Sequence, residues 1–232
     1  MAAVLLAALV VLTAPAPAPA ASSRPSPSII RPELLLDAEQ AVVVSTSRSD
    51  TTVASVSMYQ KTNGTWKRVA GPYSARIGRN GLSEAHLEGD GTTPAGSFPI
   101  LSAFGRYSTS RTKLPYTRVT PGACWISDPT RLDYNTQVLE PSCASPNENL
   151  YRIARSGPYR RAIVTGYNIG PTVAGAGSAI FLHVHAYARG KSKATSGCVS
   201  LTASHLYSLW RRLDPIKHPR VIIGTAAWLT GP

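Results

Sequence analysis

One stretch of the chain carries the residue types that can make and break acyl bonds. In AIFLHVHAYARGKSKATSGCVSL (179–201), His183 and His185 lie two apart in a β-forming run, and Cys198 ends the turn Thr195-Ser196-Gly197-Cys198. Side chains alternate along a strand, so the two imidazoles share a face. A thiolate is the reactive form of cysteine, and a nearby imidazole lowers the thiol pKa and carries its proton. A glycine directly before the nucleophile lets substrate approach the backbone closely. The N–H groups of Gly197 and Cys198 can then face a developing oxyanion. The HVH pair could also begin a zinc site completed by Cys198, His86 or Asp90. No further ligand spacing of a zinc peptidase follows, so neither metal nor cofactor is expected.

The other histidines, His86, His205 and His218, read as surface residues, and Tyr167 and Asn168 as packing or turn residues. GDGTTPAG (89–96) lacks the Gly-Lys-Ser/Thr ending of a phosphate loop and reads as a turn that shapes a cleft.

The elements that must position these groups are short and β-rich. AVVVSTS, TVASVSMYQ, TWKRVAG, SFPILSAF, CWISD, LYRIA, RAIVTGYN, AIFLHVHAY and RVIIGTAAWL follow one another from Ala41 onward, mostly separated by Gly, Pro and Asn. Many short strands with frequent turns predict a mainly β sandwich or barrel. Asn63-Gly64, between MYQKT and TWKRV, predicts a tight hairpin. One helix is predicted near 202–214, where Leu206, Leu209, Trp210 and Leu213 form an apolar stripe, with Thr202 as cap and Pro215 as stop.

The N-terminus opens with an apolar run, Ala2 to Leu12, too short to span a bilayer, which takes about 20 residues. Small residues follow at Ala18 to Ala21, and residues 1–21 read as a secretory signal peptide, leaving no stable membrane anchor after cleavage. Residues 22–39, rich in Pro and Ser, read as a flexible lead-in, and 40–232 as the working domain. With 24 Lys+Arg against 12 Asp+Glu, the 232-residue chain carries a formal charge of +12. The basic residues occur as scattered pairs and no nucleic-acid module is present. Retention at an anionic surface, wall polymers or lipid headgroups, is expected in place of nucleic-acid binding, with a solvated basic face as the alternative, for a chain expected to be a monomer.

Export also bears on the cysteines, of which there are three. In an oxidising compartment Cys124 and Cys143, separated by 19 positions, are expected to pair and leave Cys198 free. Such a staple contributes about 3 kcal/mol in the chain-entropy model.

Five stretches, in order, resemble the L,D-transpeptidase catalytic-domain (YkuD-like) family, enzymes of bacterial peptidoglycan. They are GDGTTPAGSFPI (89–100), CWISDPTRLDYN (124–135), ENLYRIARSGPYRRAIVTGYN (148–168), IFLHV (180–184) and TSGC (195–198). The family motif is a strand His followed by Ser/Thr-His-Gly-Cys. Here Ser196 stands in place of that second His, and Ser200 where many members have Arg or Asn, as in a divergent branch.

The resemblance implies a mainly β fold of this family's type with one C-terminal amphipathic helix. It implies Cys198 as nucleophile, His183 as general base and acid, and Gly197 as an oxyanion donor. A free carbonyl near the far imidazole nitrogen, or a hydroxyl such as that of Ser196, is expected to orient the ring, and His185, Thr195 and Ser200 are candidate substrate contacts. The implied substrates are peptidoglycan stem peptides at the cell wall. Cys198 would displace a terminal D-Ala, and a stem amine would resolve the acyl-enzyme. Hydrolysis at the same site, an L,D-carboxypeptidase, and a non-catalytic basic wall-binding module are the alternatives.

Overall fold

The computed structural model describes residues 30–108 and 111–231. Its frame is eight strands: β1 (Gln40–Thr46), β2 (Val53–Thr62), β3 (Thr65–Arg76), β4 (Gly96–Gly105), β5 (Arg161–Thr165), β6 (Phe181–Val184), β7 (Val199–Leu201) and β8 (Arg220–Thr225). They hydrogen-bond in the order β5-β6-β7-β3-β2-β1-β8-β4, with the short segment Tyr116–Arg118 added beside β4 as a ninth strand, and β4 pairs with β5 to close a barrel. Strand β4 is long enough to do both jobs: Gly96–Pro99 faces β8, and Ile100–Gly105 faces β5. Closure removes the open edges that a free sheet would expose. The mainly β expectation holds, and the sheet is barrel-like. The Asn63-Gly64 hairpin forms as well: Thr62 pairs with Thr65, and both turn residues take positive φ, 49° and 77°.

Alternation along the strands splits the core. Val42, Val44, Leu182, Val184, Val199, Leu201, Val221 and Ile223 point to one cluster. Their odd-numbered or even-numbered neighbours point the other way: Phe181 and Cys198 join a second cluster with Trp125, Leu150 and Tyr159, and Val43 and Ile222 a third. The first cluster is completed by Leu206, Leu209 and Trp210, from a helix over Ala203–Trp210, and by Leu213 just beyond its end. Burial of each large apolar side chain contributes about 1.5–3 kcal/mol, so the three on the helix fix it firmly.

Among the described residues there are four α-helical segments: α1 (Pro32–Leu35), α2 (Leu150–Ser156), α3 (Ala203–Trp210) and α4 (Ala226–Thr230). Helix α3 starts at Thr202 as predicted, the cap hydroxyl accepting from His205 N–H at 3.2 Å. It stops at Trp210, short of the predicted 214. The buried Gln40 side chain donates to Arg212 O and accepts from Asp214 N–H, each at 2.9 Å, and takes over backbone groups a longer helix would use. Leu213 stays buried beyond the helix end.

Two predicted strand runs are corrected. LYRIA is helix α2, because Asn149 Oδ1 caps it at 2.9 Å from Arg152 N–H, Gly157 ends it, and Leu150 and Ala154 lie one turn apart in the core. RVIIGTAAWL is strand β8 up to Thr225, whose hydroxyl then caps α4 by accepting from Trp228 N–H at 3.1 Å. The expected flexible lead-in is packed from Ile30 onward, where Ile30, Leu34 and Leu35 bury against Val43, Ile222 and Leu229. The expected signal segment, 1–21, lies outside the described residues. Among the described residues no helix is long and apolar enough to cross a membrane.

A small sheet of three short strands, Glu148–Asn149, Ala123–Trp125 and Gln137–Leu139, packs on the β6 side of the barrel through Ala123 and Trp125. Cys124 in its middle strand is joined to Cys143, as expected, with Cα atoms 5.6 Å apart. Cys198 is the free cysteine among the described residues.

Candidate active site

Strands β6 and β7 run parallel with Leu182 opposite Val199 and His183 opposite Ser200. This register, with the two-residue period, sends Phe181, His183, Cys198 and Ser200 to the face away from the first cluster. His183 and Cys198 thereby come to the wall of one cavity, shared with Glu148, Tyr159, Lys193, Thr195 and Ser196. Cys198 also walls a second cavity, with His86, Glu88, Ser127, Ser178 and Gly197. Glu148 and Ser196 belong to both walls.

The turn that carries Cys198 is tied down through its backbone. Thr195 Oγ1 donates to Cys198 O at 2.6 Å and accepts from Gly197 N–H at 3.2 Å. Thr93 Oγ1, from the GDGTTPAG segment, donates to Gly197 O at 2.6 Å. A side chain at position 197 would bring its Cβ to 3.0 Å from Thr92 O, so glycine lets the two segments close on each other. The GDGTTPAG turn does shape the cleft, and Asp90 holds it by accepting from the N–H groups of Leu87 and Thr92 at 2.9 and 2.8 Å.

The Cys198 thiol lies 3.1 Å from Ala179 O, to which it donates, and accepts from Phe181 N–H at 3.3 Å. Burial, and next the Glu148 carboxylate, push its pKa up to about 12. The Phe181 N–H and the Tyr159 hydroxyl pull the other way. The resting sulfur is therefore a neutral thiol that needs a base. His183 Nδ1 lies 2.8 Å from Val184 O, a group that can only accept, which puts the ring proton on Nδ1 and the lone pair on Nε2. Burial holds the His183 pKa down at about 4, so the ring is neutral near pH 7. The orienting partner is thus Val184 O and not Ser196, which stands exposed on the cavity wall.

The remaining candidates divide. Thr195 and Ser200 wall the first cavity, while His185 is not among its lining residues and meets Ser200 Oγ through Nδ1 at 2.9 Å. The Gly197 N–H already faces Thr195 Oγ1. His183 and His185 send Nδ1 to different partners, and among the described residues no three His, Cys, Asp or Glu side chains gather as a metal-binding group. His86 is buried, at 6% exposure, not on the surface: its ring packs against Gly177 and Tyr167, and Nδ1 lies 2.9 Å from both Asp90 Oδ1 and Thr92 Oγ1. His205 stacks on Tyr73, and His218 is exposed beside Asp37.

Two residues at the centre belong to no catalytic motif of the sequence. Glu148 Oε2 accepts from the Tyr159 hydroxyl at 2.6 Å. The Tyr159 ring stands edge-on to His183 at 5.1 Å between centroids and walls the same cavity as Cys198. Both lie in the resembling stretch 148–168, which was the one sequence signal that could have flagged them.

The model of the L,D-transpeptidase catalytic domain (YkuD) matches residues 39–223, and the chain belongs to that family. No curated protein matches the sequence. Among solved structures, the chain is similar to the helical cell shape determining protein Pgp2 from Campylobacter jejuni. The identity is 16% and the TM-score 0.38, over 81% of this chain and 48% of that one. The chain therefore spans about half the length of that protein.

Proposed function

We propose that the protein is an exported, cysteine-dependent L,D-transpeptidase that acts on peptidoglycan stem peptides. The observation that carries this reading is the β6–β7 register, which brings His183 and Cys198 of a family member to one face and one cavity. The resting thiol donates to Ala179 O; on attack it turns to His183, neutral and with Nε2 as its basic nitrogen, which takes the Cys198 proton as sulfur adds to the carbonyl before a terminal D-Ala. The C–S bond forms, negative charge develops on the carbonyl oxygen, and backbone N–H groups of the Gly197-Cys198 turn receive it. The Gly197 N–H exchanges its long contact to Thr195 Oγ1 for that oxygen. The imidazolium then protonates the departing amine, the C–N bond breaks, and D-Ala leaves a thioester on Cys198. An amine from a second stem resolves the thioester.

Location follows the same reading. The Cys124–Cys143 bond suits an extracytoplasmic compartment, and the +12 charge suits retention on anionic wall polymers. The test is D-Ala release from a stem tetrapeptide, followed with and without an amine acceptor. Wild type should release D-Ala and form the amine-linked product. It should lose both on treatment with iodoacetamide and keep both in EDTA. Release without linked product would make it an L,D-carboxypeptidase. A folded protein that releases nothing would leave only wall binding.

A further inference from the structure

Glu148 is unusual for a chain so rich in Lys and Arg: a half-buried carboxylate on the wall common to both cavities at Cys198. Three features hold it there. Asn149, the next residue, caps α2. Glu148 itself pairs with Trp125 in the small sheet, one position from the stapled Cys124. The Tyr159 hydroxyl fixes Oε2 at 2.6 Å and leaves the other carboxylate oxygen to the cavities.

The charged and titratable groups around it differ from side to side. In the first cavity stand His183 and Lys193, and in the second His86 and Glu88; Tyr159 bonds Glu148 directly, and Cys198 lines both cavities. The second cavity thus presents two carboxylates, Glu88 and Glu148, beside the sulfur that would carry the acyl group. A cation is the complementary visitor there.

We propose that Glu148 is a catalytic residue of the second half-reaction: it receives an ammonium-bearing acceptor through the second cavity and takes the proton that must leave before the amine can attack. This rests on the transpeptidase reading above and assigns the acceptor's side of that site. In the step, R–NH3+ gives one proton to the Glu148 carboxylate and becomes R–NH2. The nitrogen lone pair attacks the thioester carbon, the C–N bond forms, and the C–S bond breaks. The second nitrogen proton returns through His183 to the Cys198 sulfur. Glu148 then releases its proton to solvent in the open cavity. Burial, with Glu88 adding, raises the Glu148 pKa to about 7 despite the Tyr159 bond, so its carboxylate is a stronger base than an exposed glutamate.

The experiment loads Cys198 with a stem tetrapeptide, verifies the acyl-enzyme by mass, and times its discharge by two acceptors. One is a lysine-containing peptide, cationic at neutral pH. The other is methoxyamine, which is uncharged there and needs no deprotonation before attack. In Glu148→Gln the ratio of lysine to methoxyamine discharge should fall about a hundredfold. An unchanged ratio overturns the proposal. Should that variant fold poorly, wild type alone decides: lysine discharge should show a pH break near 7 that methoxyamine discharge lacks, and coincident profiles overturn it. Failure of wild type to load would remove the site reading itself, and this proposal with it. Loading with an unchanged ratio would remove this proposal alone.

Discussion

Thr93 Oγ1 donates to Gly197 O at 2.6 Å while accepting from Gly78 N–H at 2.8 Å, so one buried hydroxyl stitches the GDGTTPAG turn to the turn that carries Cys198. Thr93→Val keeps the shape and removes both bonds, leaving a buried carbonyl and a buried N–H without partners. The expected loss is about 2–4 kcal/mol in urea unfolding, with a matching fall in Cys198 acylation in the folded variant. A stability within about 0.5 kcal/mol of wild type would show that the stitch carries no weight.

The Cys124–Cys143 bond lies one residue along the strand from Trp125, the partner of Glu148. Replacing both cysteines by serine should cost about 2–4 kcal/mol, measured as the shift in the urea midpoint. Mild reductant should do the same to wild type and leave the doubly substituted protein unchanged.

The acid limb of acylation follows from His183. A base works only while unprotonated, and burial lowers this imidazole from 6.5 to about 4. Acylation by a carbapenem should therefore persist through pH 6.5 and fall only as pH approaches 4. Half-loss near 6.5 would point to an exposed histidine as the base. His183→Ala should remain folded and acylate severely more slowly, whereas the same change at His185 should cost far less.

Glu148 makes the opposite kind of pH demand on stability. Its folded pKa, about 7, lies above the unfolded 4.5, so the native state binds the proton more tightly between those values. Stability associated with it is present below pH 4.5 and is lost as pH rises through 7. His183, lowered instead, adds stability as pH rises from 4 to 6.5, so wild type alone blends the two. The difference between Glu148→Gln and wild type isolates the carboxylate: the variant should gain on wild type in urea midpoint between pH 5 and pH 8. A gap that stays constant over that range would contradict the raised pKa.

The sequence showed the strands of this barrel because Val, Ile and Thr runs alternate cleanly around Gly and Asn turns. Val42 and Val44, like Leu182 and Val184, face the first cluster, while Val43, between the first pair, packs in the third. Helix α2 was hidden because Leu150, Tyr151 and Ile153 read as β-formers, while what decides it is local: the Asn149 cap and the Gly157 stop. The end of α3 was hidden for the opposite reason, since Gln40 meets it from 172 positions away. At the site, Cys198 and His183 were legible because one strand and one turn carry them. Glu148, Tyr159 and the buried His86 arrive from different elements, and their convergence exists only in the folded chain. The orienting partner of His183 is a backbone carbonyl, a group that every residue has and no motif marks.

The central claim is that Cys198 is an acylatable nucleophile served by His183. It is tested most directly by incubating the intact protein with a carbapenem and mapping the modified residue by mass spectrometry. One covalent adduct on Cys198 is predicted, absent from Cys198→Ser. A folded wild-type protein that stays unmodified, or one whose adduct maps to another residue, would contradict the account.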